Sequence, residues 1–238
     1  MNVLADLISR AGRAFAERVA IIGEQRTLRF ADVEDESNRL ASALAGIGVA
    51  KGERVAILLQ NCPEFVVADF ALIKAGLIRV PVNPRYVAPE IEFILEHSGA
   101  AALVTSAAFA GVVAQIRSKL STLRHVIAID PMPGVSGAHA WNDVLREGSA
   151  EAYAVDSTDG DGYMIAYTSG TTGRPKGALT TVAARLASVF ITYANELFVT
   201  PADAMLHVAS LAHGSGTKVL PLFAKGARNV LSVKFSLL

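Results

Sequence analysis

The stretch "YTSGTTGRPKGALTT", from Tyr167 to Thr181, gathers hydroxyls, glycines and one lysine between two apolar segments. From Thr168 to Gly177 it holds no large apolar side chain and no negative charge. Gly170, Gly173 and Gly177 let the backbone turn sharply and come close to a ligand. Successive exposed N–H groups in such a turn form an anion-binding nest. The hydroxyls of Thr168, Ser169, Thr171 and Thr172 add donors, and Lys176 adds a mobile positive charge. Such a set suits a polyphosphate, whose charge is best stabilised by preorganised donors and a cation. Pro175 stiffens the chain just before Lys176.

The spacing departs from the Walker pattern: Pro175 stands where that pattern needs glycine, and Gly177 where it needs serine or threonine. It also fails G-x-G-x-x-G. A linker rich in Ser, Thr and Gly has the same composition, so the residue types alone leave both readings open.

The elements around the loop must hold it. "YMIAYT" (Tyr163 to Thr168) reads as a buried strand. Val182, Leu186, Val189, Phe190, Tyr193 and Leu197 recur at helical spacing and predict a helix after it. Upstream, strand-like and helix-like segments alternate, which predicts α/β layers with helices covering mostly parallel sheets. "AIIGEQRTLRF" reads as a hairpin, and "ADVEDESNRLASALAGIG" as a helix stopped by Gly48. "RVAILLQN" reads as a buried strand, and "PEFVVADFALIKAG" as a helix from Pro63 to a stop at Gly76. "LIRVPVN", "AALVTS" and "HVIAID" read as further strands. Between Pro131 and Gly162 the accumulation of Pro, Gly, Ser and Asp predicts a loosely ordered connection. The expected division is residues 1–160 as a first α/β subdomain and 161–238 as the start of a second that carries the loop.

Composition narrows the function. With 52% hydrophobic and 18% charged residues and a net charge of +0, the chain lacks the basic footprint of nucleic-acid binding. Cys62 stands alone and reads as a small structural side chain. The N-terminus carries Asp6 and Glu17 and no unbroken apolar run, so it is not a signal peptide. Val3, Leu4, Leu7, Ile8, Ala11 and Phe15 predict an amphipathic surface helix there, and the chain reads as cytoplasmic. Ser98 to Ile116 is uncharged up to its end, yet its Ala, Gly, Ser and Thr supply little transfer free energy. It parses as strand then helix, not as a membrane span. Asp156, Asp159 and Asp161 miss the spacing of a Ca²⁺ loop and read as a solvated turn. His97, His125, His139 and His207 lack metal-ligand spacing, and Ser215 lacks the G-x-S-x-G context of a nucleophile.

"YTSGTTGRPKG" resembles the phosphate-binding motif of the adenylate-forming superfamily, roughly [Y/S]-T-S-G-[T/S]-T-G-x-P-K-G, at every position. The likeness extends from about Val3 to about Val230. It includes the "NCPEF" turn, "KAG" after a helix, "PVNP", and "HVASLAHGSGTKVLPLFAKGARNV", and it is closest to the N-terminal part of an acyl-CoA synthetase. The resemblance implies a partial N-terminal domain of that fold and an AMP-forming acid–thiol ligase using ATP, Mg²⁺ and CoA on a small-molecule carboxylic acid. It implies nucleotide binding by Thr168, Ser169, Gly170, Thr171, Thr172, Gly173 and Lys176, with Lys176 and Thr171 acting in catalysis and His213 beside the substrate carboxylate. The metal ligands are left unassigned.

Two departures stand out. The histidine that follows the loop in many members is absent at Thr181 and Val182. The family's aromatic-Gly-x-Thr-Glu segment, its T-G-D motif and its mobile C-terminal domain are also not found before Leu238. The expectation is therefore a truncated chain, with three readings: a ligase, a non-catalytic remnant or half of a split enzyme that at most binds nucleotide, and an adenylation module serving a carrier protein. An exposed edge would leave room for a partner chain or self-association.

Overall fold

Asn2 begins the first helix, α1 (Val3–Ala14), by accepting the Ala5 N–H at 3.1 Å, while its own amide donates to the Ile73 carbonyl at 2.8 Å. The helix turns Leu4, Ile8 and Ala11 into the core, so the amphipathic pattern corresponds to a docked face. The computed structural model describes residues 1–168 and 175–232. The hairpin β1 (Val19–Ile22) and β2 (Thr27–Arg29) leads into α2 (Phe30–Gly46), and Gly48 follows with φ +84° as the sequence requires. Then come β3 (Arg54–Leu58), α3 (Pro63–Lys74), β4 (Ile78–Pro81), α4 (Ala88–Ser98), β5 (Ala100–Thr105), α5 (Ala110–Ile116) and β6 (His125–Ala128). The rest is β7 (His139–Ala140), α6 (Trp141–Glu147), β8 (Gly162–Thr168), β9 (Lys176–Thr181), α7 (Val182–Ile191), β10 (Ala204–His207), α8 (Gly216–Ala224) and β11 (Arg228–Leu231).

These strands make two sheets. The larger runs β7-β6-β5-β3-β4-β8-β9, parallel throughout except for β9, and the smaller runs β10-β11-β1-β2 with only the β1–β2 pair antiparallel. Each sheet takes strands from both sides of residue 160. One core joins α1, α2, α3 and α8 to β1, β11 and one face of β3 and β5; a second packs α4 and α5 on the opposite face of the larger sheet. The chain is thus a layered α/β structure with mostly parallel sheets.

Three expectations change. The connection from Pro131 to Gly162 contains β7 and α6, because Trp141, Val144 and Leu145 share a helical face. That face packs on the inter-sheet core. β8 buries only Tyr163 and Tyr167, since it lies one strand from the edge of its sheet. In α7, Val182 and Val189 face inward but Phe190 is 65% exposed. The segment from Ser98 to Ile116 divides between β5 and α5, and no helix among the described residues is long and apolar enough to cross a membrane.

One buried side chain joins the layers. Asn61 follows β3, and its Nδ2 lies 3.2, 3.0 and 3.1 Å from the carbonyls of His207, Ala209 and Ser232. Its Oδ1 accepts the Leu211 N–H at 2.9 Å. Asn61→Leu keeps the volume but removes these four contacts, and we expect it to cost about 3 kcal/mol in urea unfolding. An unchanged unfolding midpoint would remove Asn61 from this role.

Candidate functional site

At one tip of the antiparallel β8–β9 pair, β8 ends at Thr168 and β9 begins at Lys176. Thr168 and Lys176 are cross-strand partners, as are Tyr167 and Gly177. Ser169, Gly170, Thr171, Thr172 and Gly173 lie outside the described residues. Lys176 is exposed and begins β9, so its side chain leaves a strand end. Because β8 runs parallel to β4, and β4 to β3, this tip lies at the carboxyl edge of the larger sheet. That edge is where open α/β sheets bind ligands.

Tyr167 braces the hairpin. Its ring crosses Gly177, where an added Cβ would come within 2.9 Å of Ile165 Cγ2 and 3.1 Å of Tyr167 Cζ. Its hydroxyl lies 2.8 Å from His97 Nδ1 on α4, and burial raises its pKa. At the other end of β8, Asp161 pairs with Lys51 at 2.7 Å and accepts from the Thr158 N–H and hydroxyl. The hydrogen bond from Lys51, then those from Thr158, hold the Asp161 carboxyl down at about 2.

His213 is exposed in the turn that leads into α8, and the Gly216 N–H donates to its carbonyl at 3.0 Å. It lies two residues beyond Leu211, whose N–H is bonded to Asn61 above the carboxyl end of β3. Lys176, Thr168 and the His213 turn therefore share one edge of the larger sheet. A cavity of about 210 Å³ opens at the same edge, lined by Arg26, Gln60, Asn61, Cys62, Ser106 and Asp130. It stands at the switch point, where the chain crosses from β4 over β3 to β5. Burial pushes the Cys62 thiol up, which keeps it protonated and inert.

The sequence alone missed the residues that hold the His213 turn. His207 ends β10 and is fully buried, with Nε2 2.9 Å from Asn229 Oδ1 and Nδ1 2.8 Å from Ser215 Oγ. With Asn229 Oδ1 as acceptor, Nε2 carries the proton and Nδ1 accepts from the Ser215 hydroxyl. Burial lowers the His207 pKa and keeps the ring neutral. The only signal for this relay was a histidine ending an apolar strand, two turns of chain before a Gly-Ser-Gly. No group of three or more His, Cys, Asp or Glu among the described residues could hold a metal ion.

Comparison with known proteins places this edge. A family profile described as AMP-binding enzyme matches residues 8–238. The chain belongs to the AMP-binding enzyme family. The match runs past Val230, where the sequence resemblance was expected to end, to Leu238. Crotonobetaine/carnitine–CoA ligase of Salmonella paratyphi A is 33% identical over 233 residues, covering 93% of this chain and 45% of the relative. The anthranilate CoA ligase AuaEII, solved with anthranoyl-AMP, superposes with a TM-score of 0.91 at 29% identity, over 98% of this chain and 45% of that one. A long-chain-fatty-acid–CoA ligase of Archaeoglobus fulgidus gives a TM-score of 0.85 at 25% identity, over 96% and 46%. The chain thus spans about half the length of the relatives it matches, and its fold is that of their N-terminal part.

Two outcomes follow from the geometry. Gly177→Val should push β9 away from Ile165 and Tyr167, at about 1–3 kcal/mol of overpacking in urea unfolding; an unchanged unfolding midpoint would remove the close packing of Gly177 on these side chains. The stability contributed by Asp161 should be complete above its unfolded value near 4 and vanish as pH falls through about 2. NMR titration of its carboxyl carbon checks this, and a midpoint near 4 would rule out the Lys51 pair in solution.

Proposed function

We propose that the chain is the ATP- and acid-binding part of an AMP-forming acid–thiol ligase, an acyl-CoA synthetase. The observation that carries this reading is the Thr168–Lys176 pair, which flanks the loop at the same carboxyl edge that the His213 turn reaches through Asn61. Its support from relatives is the set of CoA ligases that match nearly the whole chain.

In the proposed reaction a carboxylate oxygen attacks the α-phosphorus of ATP. The acyl–phosphate bond forms as the α–β anhydride bond breaks, and pyrophosphate leaves with both electrons. The thiolate of CoA then attacks the acyl carbon and expels AMP. The Lys176 ammonium, held at the start of β9, neutralises charge that builds on the departing pyrophosphate. Thr168 presents its hydroxyl from the facing strand, and Ser169, Gly170, Thr171, Thr172 and Gly173 would add the donors of the nest. His213 orients the attacking carboxylate, in a turn fixed by Asn61 and the His207–Ser215 pair. For Mg²⁺, which the family resemblance implies, the described residues supply no ligand set, so no step is drawn through it.

The test is carboxylate-dependent ATP–pyrophosphate exchange on the 238-residue chain with acetate, fatty acids and an aryl acid. Lys176→Ala should reduce exchange by about a hundredfold or more. A folded chain that binds a fluorescent ATP analogue but shows no exchange with any acid would establish the nucleotide-binding reading in place of the ligase one.

A further inference from the structure

β9 is the outermost strand of the larger sheet, and its residues from Lys176 to Leu179 are all exposed. The start of β9 thus buries no side chain of its own. On β8, Thr168 is exposed as well, so Tyr167 is the buried side chain nearest the tip on either strand. Its ring packs on Gly177, its cross-strand partner, where an added Cβ would fall 3.1 Å from Cζ. Its hydroxyl leaves the pair of strands and donates to Nδ1 of His97, 2.8 Å away in the last turn of α4. Ser98 is a second hydrogen-bond neighbour of the phenol.

His97 is itself held. Its ring stacks on Phe93, one turn earlier on α4, with centroids 5.3 Å apart and planes at 24°. It meets the Tyr167 ring edge-on, at 5.8 Å and 82°. α4 buries Ile91, Ile94 and Leu95 in the second core, so the imidazole stands on a fixed support. The sequence left His97 without a role, and the fold brings it to the residue that precedes Thr168.

We infer that His97 is a positioning residue for Thr168 and Lys176, which flank the nucleotide loop, and that it acts on them through Tyr167. This rests on the reading in which that loop takes the phosphates of ATP. A flat ring packed on a glycine is free to slide along it. The hydroxyl bond fixes the ring, and with it the level at which Thr168 and Lys176 face each other. A misplacement of about 1 Å is costly at a site that binds through several aimed donors. A residue that added stability alone would behave differently. Its loss would lower the folded fraction, and so the amplitude of binding, while the folded molecules kept their affinity.

The experiment is titration of the 238-residue chain with a fluorescent ATP analogue, with urea unfolding of the same samples to fix the folded fraction. His97→Leu and Tyr167→Phe should each raise the dissociation constant about five- to tenfold. The double variant should bind no more weakly than Tyr167→Phe alone, because all three lose the same contact. Tyr167→Phe keeps the ring on Gly177 and gives the answer even where His97→Leu does not fold. His97→Asn, whose amide puts a polar atom in the place of Nδ1, should recover most of the affinity. Unaltered affinity in Tyr167→Phe would overturn the proposal. So would additive losses in the double variant, or binding by His97→Asn as weak as by His97→Leu. The nucleotide reading would survive each of these. Absence of binding by the folded, unaltered chain would end that reading and the proposal together.

Discussion

The side chain of Asn61 ties the carboxyl end of β3 to the segments that follow β10 and β11, and the position of His213 depends on it. A polar side chain in this place is required by the layering. Strands from two sheets end near one another, so one side chain can reach backbone groups of both. An amide offers both a donor and an acceptor, so one residue serves carbonyls after β10 and β11 and the N–H of Leu211. An aliphatic side chain offers neither a donor nor an acceptor for these groups.

The same constraint shapes the middle layer. All of α3 except Glu64 is buried, so its polar residues find partners inside the protein. Lys74 reaches Glu34 Oε2 at 2.7 Å and Asn38 Oδ1 at 2.6 Å on α2; burial lowers its pKa and Glu34 opposes that shift. Asp69 holds Arg79. Asn2 spans α1 and α3. A layer packed between two sheets is therefore joined by specific polar contacts as well as by apolar burial, and these contacts fix how its helices are placed along one another.

Much of this was legible in the chain. Hydrophobic period and glycine stops located α2, α3 and the strand between them, because those elements bury a regular face or a continuous run. The family was legible because the string between β8 and β9 is a rare one. α6 was not, because a seven-residue helix offers only Trp141, Val144 and Leu145 as signal within a Pro- and Gly-rich stretch. Nor was the exposure of Phe190, which obeys the helical period only loosely. The Asn61 and His207 contacts were hidden for a different reason. Each joins residues far apart in the chain, and a spacing rule sees only neighbours.

The pairing of β1 with β11 also sets an order of events during synthesis. Ile21 lies beside Asn229, so the first strand waits for about 200 residues of chain before its partner emerges, roughly 10–40 s at ordinary elongation rates. The larger sheet closes sooner, since β3, β4, β5 and β6 follow one another closely. During that interval Ala20 and Ile21, both fully buried in the finished protein, have only the β2 side of their sheet in place. Until β11 emerges, the β1 edge of the N-terminal hairpin stays open to mispairing and to chaperones on the ribosome.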